Sequence, residues 1–146
     1  MVQVVNDSLG LANELRPVLL RLARRVRRES HALGLTGGQA TLLAVIDDHP
    51  GITGRELAER EGVSAPGMSA SLDRLESAGL IVRTRGADRR RVEITISTEG
   101  ARVLRSVRRK RTVWLAERLD QLDDAERAAV EAAIEPLARL LEEDGL

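Results

Sequence analysis

Residues 53–97 read TGRELAEREGVSAPGMSASLDRLESAGLIVRTRGADRRRVEITIS, and this stretch decides the fold. Thr53 with Glu56 three residues on is a capping box: each side chain takes a backbone N–H that the first helical turn leaves unpaired. Leu57 and Ala58 face inward, and Gly62 follows at the helix end, where a left-handed backbone needs no β-carbon. Ser64 caps a second helix, with Pro66 in its first turn, where a missing N–H costs little. Met68, Leu72, Leu75 and then Ala78 or Leu80 recur at helical spacing and form one apolar face. Two short helices joined by a glycine turn describe a helix-turn-helix.

After Gly79 the period changes. Val82 and Thr84 alternate with Arg83 and Arg85; past the Gly86-Ala87-Asp88 turn signal, Val92, Ile94 and Ile96 alternate with Arg91, Glu93, Thr95 and Ser97. Alternation with a period of two predicts a half-buried hairpin. Its tip, residues 85–91, carries four arginines against Asp88 alone. So much positive charge suits a phosphate backbone or a narrow minor groove better than a protein core.

The flanks are helical. Ser8 to His31 predicts a long first helix with an apolar stripe of Leu11, Leu15, Val18, Leu19, Leu22 and Val26; Pro17 is expected to kink it or divide it near residues 13–16. Thr36 and Gln39 form another capping box, opening a short helix over Ala40–Asp48 that buries Leu42, Leu43, Val45 and Ile46. Ser97 caps a helix running to about Leu122, with Glu99 in its first turn and an apolar side of Leu104, Val107, Trp114 or Leu115, Leu119 and Leu122. A staple and capping box over Leu122–Glu126 opens the last helix, which Pro136 should bend. These outer helices exceed what a winged unit needs to fold, and a two-fold partner is the economical cover for their apolar faces.

Composition bounds the function. At 146 residues the prior is a single domain, 1–146. There is no cysteine, which excludes disulfides, thiol-based peroxide sensing and cysteine zinc sites; two histidines, His31 and His49, fall short of a metal set, so no metal or cofactor is expected. No long apolar run and no leader-like start are visible, so the expectation is a cytoplasmic protein without a membrane partner. The net charge is zero, but Arg83–Arg111 holds eleven basic residues against Asp88, Glu93 and Glu99, whereas Glu117–Asp144 holds ten acidic residues against three basic ones. Such asymmetry points to a basic working surface and an acidic remainder. No nucleophile–base pair, phosphate-binding glycine loop or metal cluster is visible, so an enzyme is not expected.

The chain resembles the MarR (multiple antibiotic resistance regulator) family of winged helix-turn-helix transcription factors. The resemblance rests on Leu33-Gly-Leu-Thr36, Thr53-Gly-Arg-Glu-Leu-Ala58, the run from Leu72 to Arg83, the Asp88-Arg-Arg90 turn, and Ile94-Thr-Ile-Ser97 with Gly100. It implies a mainly α fold with a small β-wing: a winged helix-turn-helix lobe over about 36–97, with N- and C-terminal dimerisation helices over 8–33 and 98–143. It also implies a bacterial homodimer on a pseudo-palindromic double-stranded DNA operator, usually a repressor and often relieved by a small-molecule effector. Whether this chain has an effector, and which, the sequence leaves unknown; a pocket among the first two helices, the fifth and the DNA-binding lobe would be aliphatic, with Trp114 serving as core or interface anchor or as a ligand stacker.

The resemblance makes Ser64–Ala78 the recognition helix, presenting Ser64, Pro66, Gly67, Ser69, Ala70 and Arg74 to DNA. Small residues allow close backbone approach, and Pro66 and Ala70 suit thymine methyl groups. Arg74 is the one evident guanine reader, with phosphate contact or pairing to Asp73 or Glu76 as alternatives. In the wing, Arg90 is the expected minor-groove residue, or else a salt bridge to Asp88 that only shapes the turn; Arg89 and Arg91 are its neighbours on phosphates, Arg85 is a further DNA contact, and Arg55 is a phosphate contact. The alternative function, given the plain recognition face and zero net charge, is a winged-helix protein-interaction module without its own operator.

Overall fold

A computed structural model describes residues 2–31 and 34–142. The elements are α1 (Val2–Arg28), α2 (Gly37–Asp48), β1 (Ile52–Thr53), α3 (Gly54–Glu61), α4 (Ala65–Ser77), β2 (Ile81–Arg85), β3 (Val92–Ile96), α5 (Thr98–Leu119) and α6 (Asp124–Arg139). Leu33, the first residue of the family signature, and the domain limits at 33 and 143 lie outside the described residues. The chain forms two compact units, Met1–Arg111 and Thr112–Leu146. The fold is the expected mainly α one with a small β-wing.

In the first unit, local signals set the helix starts. Thr36 Oγ1 accepts the Gln39 N–H while Gln39 Oε1 accepts the Thr36 N–H, and Thr53 and Glu56 repeat the exchange. Gly62 ends α3 at φ 64°, and its amide reaches back to the Ala58 and Glu59 carbonyls. Ser64 Oγ accepts the Gly67 N–H to start α4. Such caps stabilise by about 1 kcal/mol each. Packing does the rest: Leu43, Ile46, Leu57, Leu75, Ile94 and Val107 are essentially solvent-free and form one core with Leu35, Leu42, Met68, Leu72, Leu80, Ile81 and Leu104.

The sheet has three antiparallel strands in the order β1-β3-β2, with Ile52 opposite Ile94 and Ile81 opposite Ile96. Ser97 joins the hairpin to the helices. Its amide donates to Leu80 O, its hydroxyl donates to Gly79 O at 2.6 Å, and the same oxygen accepts the Gly100 N–H at 2.9 Å. Gly100 passes so close to the Leu80 carbonyl that a β-carbon there would overlap the oxygen and crowd Ile96.

A second tie in this unit is polar. Ser30 is fully buried; its hydroxyl donates to Arg27 O and accepts from Arg111 Nη2 at 3.3 Å. Burial, and then the nearby Arg27 charge, pushes the Arg111 guanidinium pKa below its ordinary value.

In the second unit, Asp123 and Glu126 form a capping box at the start of α6, and the Arg118 guanidinium lies 5.0 Å from the centre of the Trp114 ring. None of the α6 residues is buried; Val113, Leu115, Val130, Ile134, Leu140 and Leu141 are exposed.

Several sequence expectations need correction. The first helix spans Val2–Arg28 instead of Ser8–His31, and it is not divided at Pro17. One proline removes one N–H and its bond, which the flanking turns of a helix can carry. Helix α2 begins at Gly37, three residues before Ala40, because Thr36 caps it directly. Helix α5 stops at Leu119 and the chain reaches Leu122 by a turn, with Leu122 N–H donating to Leu119 O. The sheet gains β1, a two-residue strand too short to show alternation. In β2 the faces are opposite to the apolar pattern: Ile81 is buried and Arg83 half-buried, whereas Val82 is exposed. The α1 stripe packs only in part, since Leu11, Val18, Leu19 and Leu22 are exposed.

Candidate nucleic-acid interface

The amino-terminal turns of α4 present a small, open surface. Ser64, Ala65, Pro66, Gly67, Ser69 and Ala70 are exposed, while Met68 and Leu72 turn into the core. Gly67 has no room to spare, because a β-carbon would come within 3.0 Å of the capping Ser64 Oγ. The helix start, with its partial positive charge, is therefore accessible to an anionic backbone.

A groove of about 480 Å³ runs between α4 and the wing. Met68, Leu72 and Ile94 line it, with Ser69, Arg55 and Arg83 also at its walls. An adjoining hollow of about 420 Å³ brings Arg55, Asp88, Arg90 and Arg91 together around the start of α3. Arg74 lies apart from these, on a separate groove with Arg27, Glu61 and Ser71.

The ion pairs sort the arginines into two groups. Arg83 Nη2 donates to Asp73 Oδ1 at 2.8 Å, and its Nε lies 3.4 Å from Glu76 Oε2, an ion pair without hydrogen-bond geometry. Both carboxylates belong to α4, so Arg83 ties β2 to the helix. Arg91 Nη2 lies 3.0 Å from Glu56 Oε1 on α3, and Arg91 Nε lies 3.7 Å from Glu93 Oε1. Asp88 is also occupied, but by backbone: its carboxylate accepts the Arg90 N–H at 3.1 Å and shapes the turn.

Arg74, Arg85, Arg89 and Arg90 are exposed and make no ion pair among the described residues. For Arg74 this leaves the alternative partners Asp73 and Glu76 taken by Arg83. For Arg90 the alternative of a salt bridge to Asp88 is replaced by the backbone contact. Among the described residues Arg55 pairs only with Glu59, at 3.4 Å on a highly exposed face, a contact of little energetic weight. Among the described residues no group of three or more His, Cys, Asp or Glu could hold a metal ion, and no helix is long and apolar enough to cross a membrane.

Comparison with known proteins agrees with this geometry. Residues 33–91 match the family model for the MarR family. An uncharacterised HTH-type transcriptional regulator of Mycobacterium bovis is 31% identical over 141 residues, spanning 96% of this chain and 99% of its relative. The chain belongs to the MarR family.

A structure of a transcriptional regulator from Pseudomonas aeruginosa resembles this MarR-family chain with 37% identity and a TM-score of 0.83, covering 95% of this chain and 99% of that one. A mutant of the S. aureus regulator MepR, bound to an oligodeoxyribonucleotide, has the same fold at 21% identity and a TM-score of 0.69, covering 90% and 98% of the two chains. Winged helix-turn-helix DNA binding and transcription regulation are thus the coarse function of this MarR-family chain.

Sequence reasoning missed the structural duty of Arg83. The usable signal was the strand start. Once the strand starts with Ile81 in the core, two residues after Gly79, the pleat puts residue 83 on the same face. It also missed that β1 would hold the start of α3 against β3, through Thr53 opposite Glu93.

Proposed function

We propose that this chain is a homodimeric, sequence-specific repressor of a pseudo-palindromic duplex operator, relieved by a small ligand and acting in the cytoplasm. The observation that carries the DNA part is the distribution of charge in the wing. The carboxylates of Asp73, Glu76, Glu56 and Glu93 pair with Arg83 and Arg91, so Arg85, Arg89 and Arg90 keep their charge available. Three free guanidinium groups beside an open helix start fit phosphate oxygens and a narrow minor groove.

In this reading, Ser64, Pro66, Gly67, Ser69 and Ala70 enter the major groove by close backbone approach, and Arg74 reads a guanine or a phosphate at its edge. Arg90 enters the minor groove, with Arg85, Arg89 and Arg55 on the backbone. The dimer is supported by the exposed apolar residues of α1 in the first unit and of α5 and α6 in the second. Relief by a ligand is supported by the groove between α4 and the wing, whose floor of Met68, Leu72 and Ile94 suits a small apolar molecule.

The test is a salt titration of binding to the intergenic duplex upstream of the protein's own gene. Arg90→Ala should weaken binding and lower the salt slope by about one unit for the cation lost from between the phosphates that wall the minor groove. Binding equal to wild type at every salt concentration would remove Arg90 from the interface. No binding of that duplex even at low salt would favour a protein-interaction module, a reading that the small, plain face of α4 would also fit.

A further inference from the structure

The geometry points to Arg91 as a positioning residue: through Glu56 it fastens the wing to α3 and thereby aims Arg89 and Arg90, instead of binding phosphate itself. This rests on the DNA reading above and replaces the phosphate contact that the sequence led us to expect of Arg91.

Three observations converge on the clamp. First, the backbone of Arg91 closes the wing turn: Gly86 N–H donates to Arg91 O and Arg91 N–H donates to Asp88 O, both at 2.9 Å. Moving Arg91 therefore moves the loop that carries Arg89 and Arg90. Second, its side chain reaches out of the hairpin to α3, with Nη2 3.0 Å from Glu56 Oε1, while Nε lies 3.7 Å from Glu93 Oε1 on the strand that follows it. Third, Glu56 is itself held. Its Oε2 accepts the Thr53 N–H and its own N–H donates to Thr53 Oγ1, the capping box that starts α3. Thr53 in turn pairs with Glu93 in the sheet. One carboxylate thus serves the start of the helix-turn-helix with one oxygen and the wing with the other.

Both partners are about half exposed, with side-chain accessibilities of 48% for Arg91 and 45% for Glu56, so the pair adds little to global stability. Its consequence is geometric. A two-stranded wing is held along β3 and at its base, and the clamp is the one ion pair among the described residues that joins its returning end to α3. Removing it frees the loop to sample positions from which Arg90 no longer reaches its groove.

The sign of one substitution separates this from simple charge. Glu56→Gln keeps a capping side chain, since glutamine serves at that position of the box, but loses the charged partner. It also removes a negative charge near DNA, which by electrostatics alone would tighten binding. The probe is a duplex selected by the wild-type protein from a random-sequence pool, titrated at several salt concentrations. Under the clamp, Glu56→Gln and Arg91→Ala each weaken binding about three- to fivefold, the double variant is no weaker than either single one, and the salt slope stays at the wild-type value. Tighter binding by Glu56→Gln, or a slope lowered by about one in Arg91→Ala, would overturn the proposal. Amide hydrogen exchange in the free protein provides a readout that needs no DNA: Gly86 and Arg91 should exchange faster in both variants, and unchanged exchange would also overturn it. If the wild type selected no duplex, the DNA reading would fall while the exchange measurement still judged the clamp.

Discussion

The winged lobe and the Thr112–Leu146 unit are built from the same few aliphatic residue types, yet they bury them very differently. In the lobe, Leu43, Ile46, Leu57, Leu75 and Ile94 lose essentially all solvent contact. In the second unit no α6 residue is buried, and Ile134, Leu140 and Leu141 stand open. The lobe surrounds its core with helices and a sheet, and α2, α3, α4 and the strands close over one another. A helix and a half offer only stripes, and a stripe needs another surface. Amphipathic helices tell where a surface must be covered without telling by what.

The sharpest way to break that contrast is inside the lobe. Gly100→Ala places a methyl group against the Leu80 carbonyl and Ile96, with backbone on one side and core on the other. It should cost about 3 kcal/mol or more of folding stability, read as a large fall in the thermal midpoint. Gly10→Ala is the control: nothing lies within 4 Å of its added β-carbon, and α1 should gain about 0.5–1 kcal/mol from the better helix former. Equal effects from the two would mean that the lobe is not tightly closed at Gly100.

The next test addresses the open unit. If a second copy covers α6, Ile134→Glu should weaken self-association by about a hundredfold, from roughly 3 kcal/mol of lost apolar burial. Sedimentation across a micromolar concentration range would show it, with far-ultraviolet circular dichroism of the helices kept. A wild-type protein that sediments as a monomer at every concentration would end the dimer reading.

The smallest effect sharpens the lobe's edge. Arg102 hydrogen bonds hold the Glu99 carboxyl pKa below its ordinary value in the exposed first turn of α5. A lowered native pKa contributes stability above the unfolded value and loses it as pH falls through the native one. Glu99→Gln should thus be slightly less stable than wild type at neutral pH, with the gap closing in acid. A gap that is constant with pH would assign the effect to helix propensity alone.

How much of this was legible depends on the range of the interaction. The capping boxes at Thr36, Thr53 and Asp123 and the left-handed Gly62 stand as the sequence predicts, because each is settled within four residues. The buried face of α4 also follows from spacing alone. The wing's arginines were legible as a charge cluster but not as individuals. Arg83 and Arg91 differ from Arg85, Arg89 and Arg90 only through carboxylates that reach them from α4, α3 and the neighbouring strand position. That Pro17 does not divide α1 has a related reason: the local rule counts the lost bond, whereas a long helix can carry it.

By itself, then, the order of residues determined which residues cap the helices, which face of α4 is apolar, and that four arginines gather at one hairpin tip. Only the folded chain decided which of those charges are neutralised by ion pairing and which stay free to meet a partner, and which apolar faces are covered. Caps and periodicity act between residues a turn apart, where the backbone dictates geometry. Pairing and burial act between residues up to tens of positions apart, whose distance does not exist until the core has closed.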